Sequence, residues 1–120
     1  MGTLDKSEYS IGLFDPHSDG ACDIAILRHL YKSQIKELAI SIGVPQEITQ
    51  KKSSGDIYGN QPWEKAMGLT YEQLDQILLG LEKKYPDNKL THVVNEKALQ
   101  HIKKAKEVSK LIRSLPLYLD

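Results

Sequence analysis

Residues 19–43, "DGACDIAILRHLYKSQIKELAISIG", carry two signals at once. Asp19 and Asp23 flank a bend of small residues, Gly20, Ala21 and Cys22. From about Asp23 the apolar period becomes helical: Tyr31, Ile35, Leu38 and Ile42 are spaced four, three and four apart, one face of an α-helix. Gly43 supplies a stop and Pro45 follows it. Lys32 lies on this helix. A lysine near a helix start opposes the macrodipole, so the position needs a compensating negative partner, and a phosphate is one. The bland alternative is a surface lysine with its stem laid on the helix. The two aspartates also have two readings. They can bind a ribose, an amide or a hydrated Mg²⁺ through oxygen, or they can be a turn acid followed by a helix N-cap.

Upstream, "YSIGLF" (9–14) is a short apolar run closed by Asp15-Pro16, and it predicts one short strand. "GTLDKSE" (2–8) shows neither helical period nor strand alternation. Downstream, "PQEITQKK" (45–52) predicts a short helix with Pro45 in its first turn. Residues 52–69, with three glycines and a proline, predict a long flexible loop. Within it, Lys51, Lys52, Ser53, Ser54 and Gly55 offer charge, hydroxyls and exposed backbone N–H groups, the makings of an anion cradle or of a plain loop. Trp63 in the same stretch can stack on a base or plug the loop onto the core.

Thr70 and Gln73 have capping-box spacing, and Tyr71, Leu74, Leu78, Leu81 and Tyr85 predict the buried stripe of the helix that follows. A last helix is expected from about Val93 to Arg113, with Val94, Ala98, Ile102, Ala105 and Ile112 apolar and Lys103, Lys106, Lys110 and Arg113 basic. Pro116 excludes further regular helix. The fold class is therefore mostly α with one short strand, and a lone strand needs a sheet partner from elsewhere.

The bulk properties exclude several functions. The 120 residues suit one domain, 1–120. Sixteen basic residues balance sixteen acidic ones, so no net field argues for nucleic acid, and the basic stripe lacks interleaved aromatics. No apolar run approaches the roughly 20 residues of a membrane span. The first residues lack a secretory pattern, and the single Cys22 forms no internal disulfide; the expected location is the cytoplasm. The four histidines show no metal spacing.

Taken in order, these pieces resemble the C-terminal half of ammonia-dependent NAD synthetases. "GTLDKSE" is similar to the family's GT-x-NKSE. "SDGACDIAILRHLYKSQIKELAISIGVP" is similar to its G-DGGADI…LYK…LGVP run. "EITQKKSSGDIYGNQ" is similar to its KxP-[ST]-A-DL segment, and "MGLTYEQLDQILLGL" to LGISY-x-x-ID-x-x-L-x-G. The pieces are collinear from residue 2 to about 81, while the last 35 or so residues match only through a basic helix followed by proline.

The resemblance implies part of a Rossmann-like α/β adenine-nucleotide hydrolase fold. It also implies an ATP-dependent ligase that adenylates deamido-NAD and amidates it with ammonia to give NAD. By resemblance Glu8 helps hold Mg²⁺, Lys32 and Ser54 contact ATP, and Asp19 with Asp23 beside it meets deamido-NAD. A homo-oligomer is the family expectation.

Three departures qualify this picture. The family's Ser-Gly-Gly-x-Asp-Ser pyrophosphate loop, which belongs to its N-terminal half, is absent, so this chain alone is expected to be inactive. The family's D-E-x-E-LG becomes Trp63-Glu64-Lys65-Ala66-Met67-Gly68, with two of three acids gone. Ser53 and Gly55 replace a proline and an alanine. The alternative is a small helical interaction or oligomerisation module without catalysis, using the apolar surface that the other half would cover.

Overall fold

The computed structural model describes residues 1–53 and 62–114. Among the described residues seven helices run in order: α1 (Lys6–Ile11), α2 (Lys32–Ser41), α3 (Gln46–Thr49), α4 (Trp63–Met67), α5 (Tyr71–Glu82), α6 (Asp87–Leu90) and α7 (Glu96–Arg113). The mostly helical expectation holds, but the strand expected at 9–14 does not form. Residues 9–11 end α1, and Gly12 closes it in the left-handed region at φ 75°. The reason lies upstream. Asp5 caps α1 through its side chain, and Glu8 reaches back to the Asp5 N–H, so "DKSE" is a capping box that starts a helix before the apolar run begins. Gly2 and Ala25 form a parallel bridge, with the Gly2 N–H donating to Ile24 O at 2.8 Å.

The second helix starts later than its periodicity predicts. Residues 26–30 form turns, and α2 begins at Lys32. Its predicted stripe is real but only partly covered: Tyr31 is buried, while Leu38 is 44% and Ile42 70% exposed. The region expected to be one loop contains α4, which Gly68 ends at φ 71°.

The core sits where α5 meets α6 and α7. Leu74, Ile77, Leu78, Leu90, Val94, Leu99 and Ile102 form one buried cluster with Tyr31 and Tyr71. Thr70 and Gln73 cap α5 reciprocally, as their spacing predicts. The stripe on α5 stops short of Tyr85, which is exposed because the helix ends at Glu82 and Lys84 turns left-handed at φ 56°. Gly80 lets α6 approach: a Cβ there would lie 2.5 Å from Leu90 Cδ2.

α7 runs against α1. Ser109 Oγ donates to Tyr9 O at 2.7 Å, and Arg113 lies over the Tyr9 ring at 4.8 Å, with Arg28 also over that ring at 4.6 Å. The basic residues of α7 are thus partly used inside the chain. Lys103 pairs with Asp87 at 2.6 Å and Lys110 with Glu107 at 2.9 Å. Pro116 lies outside the described residues.

Candidate functional site: a paired lysine at the mouth of a cationic cavity

α1, α2 and α5 converge around Lys32. As the first residue of α2 it carries a positive charge at the positive end of the helix dipole. Two carboxylates from α1 and its cap offset that. Lys32 Nζ lies 2.9 Å from Asp5 Oδ2 and 2.9 Å from Glu8 Oε1, and it sits over the Tyr71 ring at 5.3 Å. Asp5 is 1% exposed, which makes this pairing far less screened than a surface ion pair.

The protonation chemistry follows from this crowding. Burial pushes the Glu8 carboxyl above its ordinary range, the Asp5 charge pushes it further, and Lys32 opposes both. Burial alone would lower Lys32. The Glu8 and Asp5 charges outweigh it and hold the ammonium above the usual lysine value. Burial and the charges of Glu8 and Asp5 push the Tyr71 phenol well up, so it stays protonated, with its Oη 3.5 Å from Glu8 Oε1.

Lys32 also lines a cavity of about 560 Å³. Its lining is mixed: Ile35, Ala39, Val44 and Ile48 are apolar, and Lys32, Lys36, Lys51, Lys52 and Ser53 are polar. Four lysines and two glutamates, Glu64 and Glu72, line it, and Lys32 is further paired with Asp5 and Glu8 behind the lining. The glutamates partly engage the lysines, with Lys36–Glu72 and Lys52–Glu64 both at 3.9 Å.

The sequence-predicted residues separate into groups. Lys32 and Glu8 meet directly. Lys51, Lys52 and Ser53 line the same cavity as Lys32, while Ser54 lies outside the described residues, as does most of the loop expected at 52–69. Asp19 and Asp23 are exposed and do not line the cavity. Asp19 Oδ1 accepts from the Asp15 N–H at 2.8 Å and from Ser18 Oγ at 3.2 Å, which is turn chemistry. Trp63 opens α4 beside the cavity mouth, its N–H donating to Ser53 O at 3.1 Å, and it packs partly against the core. Asp5 and Tyr71 join the candidate site from the structure. The Asp5-x-x-Glu8 spacing is the sequence signal for the first, and the second is visible in the sequence as a stripe position and as the tyrosine of the LGISY-like run, without a site role.

Asp5, Glu8 and Lys32 together leave one negative charge in excess, which suits a cation bound through Glu8. Among the described residues no cluster of three or more carboxylate, histidine or cysteine side chains could hold a metal by itself. An ion here would take its other ligands from phosphate and water, the usual situation of Mg²⁺ on a nucleotide. Among the described residues, no helix is long and apolar enough to cross a membrane.

Comparison with known proteins converges on one family. The NH(3)-dependent NAD(+) synthetase of Pyrococcus furiosus is 36% identical over 122 residues, covering 98% of this chain and 47% of its own. That of Picrophilus torridus is 45% identical over 84 residues, 70% of this chain and 34% of its own. The structure of an NMN synthetase from Francisella tularensis superposes with a TM-score of 0.77 at 32% identity, over 99% of this chain and 45% of that one. The chain thus spans roughly a third to a half of the length of these relatives. A sequence model of the NAD synthase family matches residues 1–116. With the match running nearly end to end and the fold shared, the chain belongs to the NAD synthase family.

Proposed function

We propose that this chain supplies the nucleotide-facing part of an ammonia-dependent NAD synthetase. The reaction consumes ATP, deamido-NAD and ammonia. A carboxylate oxygen of the nicotinate attacks the α-phosphorus of ATP, the α–β phosphoanhydride bond breaks and pyrophosphate leaves. Ammonia then attacks the acyl carbon, its surplus proton passes to solvent, and AMP departs with the former carboxylate oxygen to leave the amide. The observation that carries this reading is the cavity: apolar side chains suited to a planar base and lysines suited to phosphates, Lys32 among them, line one space.

Each residue has a task that follows from its surroundings. Lys32 balances phosphate charge as the triphosphate separates, and the Asp5 and Glu8 carboxylates hold it in place and protonated. Lys51 and Lys52 add charge to the same cavity lining, and Ser54, outside the described residues, is assigned to ATP through the family resemblance. Glu8 would hold Mg²⁺. When bound, that ion screens the phosphate oxygens and makes pyrophosphate a better leaving group. Asp19 and Asp23 are assigned to deamido-NAD through the family resemblance, and their exposure leaves them open to a ligand that approaches from outside the cavity.

The chain by itself is not expected to turn over. Ile40 on α2 is 59% exposed and Ile24 beside the Gly2–Ala25 bridge 62% exposed, apolar surface that an added layer of the same domain would bury. The same surface supports a second reading, in which the chain acts only as a docking or oligomerisation module.

Calorimetric titration separates the two readings. A polypeptide in which this chain is completed with the remaining half of a relative such as the Pyrococcus furiosus enzyme should bind Mg-ATP and deamido-NAD and form NAD from ammonia. Replacing Lys32 by Ala should weaken Mg-ATP binding by about tenfold or more. A folded, completed protein that binds neither nucleotide would eliminate the synthetase reading and leave the docking module.

A further inference from the structure

The start of α2 is held by groups that the proposed reaction does not use. Tyr31, the N-cap residue, offers no side-chain cap to the helix; instead its own N–H donates to Gln34 Oε1 at 2.9 Å. The first two amides of the helix are satisfied from other elements. The Lys32 N–H donates to Ser7 Oγ at 2.9 Å, and the Ser33 N–H donates to Asp75 Oδ2 at 2.8 Å. The Ser7 hydroxyl in turn donates to Asp75 Oδ1. Asp75 on α5 is 6% exposed and Ser7 on α1 is 0% exposed.

One buried carboxylate therefore ties three helices together at the residue that carries the key ammonium. A carboxylate at a helix N-terminus is electrostatically favoured, and here it also offsets the charge that Lys32 brings to that end. An aspartate on the buried face of a leucine-rich helix is costly unless every lone pair has a use. Both Oδ atoms are engaged, by Ser7 and by Ser33.

We infer that Asp75, acting through Ser7 and the Ser33 amide, is a positioning residue for Lys32: it fixes the first turn of α2 so that the ammonium stays between Asp5 and Glu8 and faces the phosphates. This rests on the reading of Lys32 as the phosphate contact. Asp75 itself reaches no ligand. Asparagine cannot replace it cleanly. An amide has one acceptor oxygen, so either the Ser33 N–H or the Ser7 hydroxyl faces an NH₂ group.

The test uses the completed polypeptide and Mg-ATP as the probe, comparing wild type, Asp75→Asn, Lys32→Ala and the double variant by titration. Amide hydrogen exchange over residues 31–38 is followed by mass spectrometry. Asp75→Asn should weaken Mg-ATP binding by about tenfold and speed exchange at the first turn of α2 by a similar factor. The double variant should bind no more weakly than Lys32→Ala alone, because the two residues act through one contact. Additive losses, or faster exchange with affinity within about twofold of wild type, would overturn the inference.

If Lys32→Ala leaves affinity unchanged, the phosphate role of Lys32 fails, and the inference with it. Exchange at Lys32 and Ser33 then reports separately whether Asp75 clamps the helix. Should Asp75→Asn not fold, Ser7→Ala breaks the same chain of bonds while keeping the Asp75 charge, and Ser7→Thr, which restores the hydroxyl, should recover affinity. Ser7→Ala binding as wild type would refute the inference.

Discussion

Replacing Lys32 by Met removes the ammonium and keeps most of the stem. Two carboxylates are then left facing a neutral side chain, Asp5 almost fully buried and the Glu8 side chain 15% exposed. Removing one partner of a fully buried ion pair costs about 3–5 kcal/mol. The Lys32 side chain is 30% exposed, so solvent screens part of this, and about 2 kcal/mol is expected at neutral pH.

The loss should depend on pH with a definite sign. The folded Glu8 carboxyl already lies above its unfolded value of 4.5. Between those two values the folded state holds more protons than the unfolded one, so stability falls as pH rises through that window. Without Lys32 the folded value climbs further, the window widens upward, and the penalty grows toward alkaline pH. In the wild type the contribution of Lys32 itself is fully present below 10.5 and is lost as pH rises through its elevated folded value. Urea denaturation followed by circular dichroism, in buffer with chelator, should therefore give a loss near 2 kcal/mol at about pH 8, and about half of that at about pH 5. A loss independent of pH, or a gain at the higher value, would show that Asp5 and Glu8 do not depend on Lys32 for their charge balance.

Two further substitutions probe the frame around the site. Gly2→Ala would place a Cβ 2.5 Å from Cys22 Sγ and 3.0 Å from its Cβ, and it should cost about 1–3 kcal/mol, with partial recovery when Cys22 is also changed to Ala, measured by thermal denaturation. Leu99→Ala removes a side chain that is 0% exposed at the centre of the core, and the denaturation midpoint should fall by an amount worth about 2–5 kcal/mol; a loss below about 1 kcal/mol would contradict the packing described.

The helices were legible wherever two local signals agreed. For α5, the Thr70–Gln73 box and the apolar stripe point to the same boundaries, and the stripe is buried from Tyr71 to Leu78. In α7 the period holds, but Leu99, fully buried, falls off the predicted stripe because the buried face is centred on Leu99, Ile102 and Ser109. Residues 9–14 mislead because their apolar content suggests a strand while the Asp5–Glu8 cap upstream starts a helix. Six residues with two aromatics look extended unless the start signal upstream is read with them.

Of the candidate site, Lys32, Glu8 and Lys51 were legible because they match a family pattern, whereas Ser53 departs from it. Asp75 falls on the aspartate of the LGISY-x-x-ID run, but its task was not legible, because a carboxylate inside a leucine-rich helix looks like an ordinary polar position until the amides of another helix are found against it. Its spacing from Ser7, 68 residues, exceeds anything local pattern can report.

The dual use of Asp5 has a thermodynamic consequence. One of its oxygens caps α1 by accepting the Glu8 amide at 2.8 Å, and the other faces the Lys32 ammonium. Whatever neutralises or draws away that ammonium is felt by the residue that initiates the first helix. Fraying at the front of α1 and occupancy beside Lys32 are consequently linked functions, and an anion bound to that ammonium should change the proton-exchange lifetimes at the front of α1.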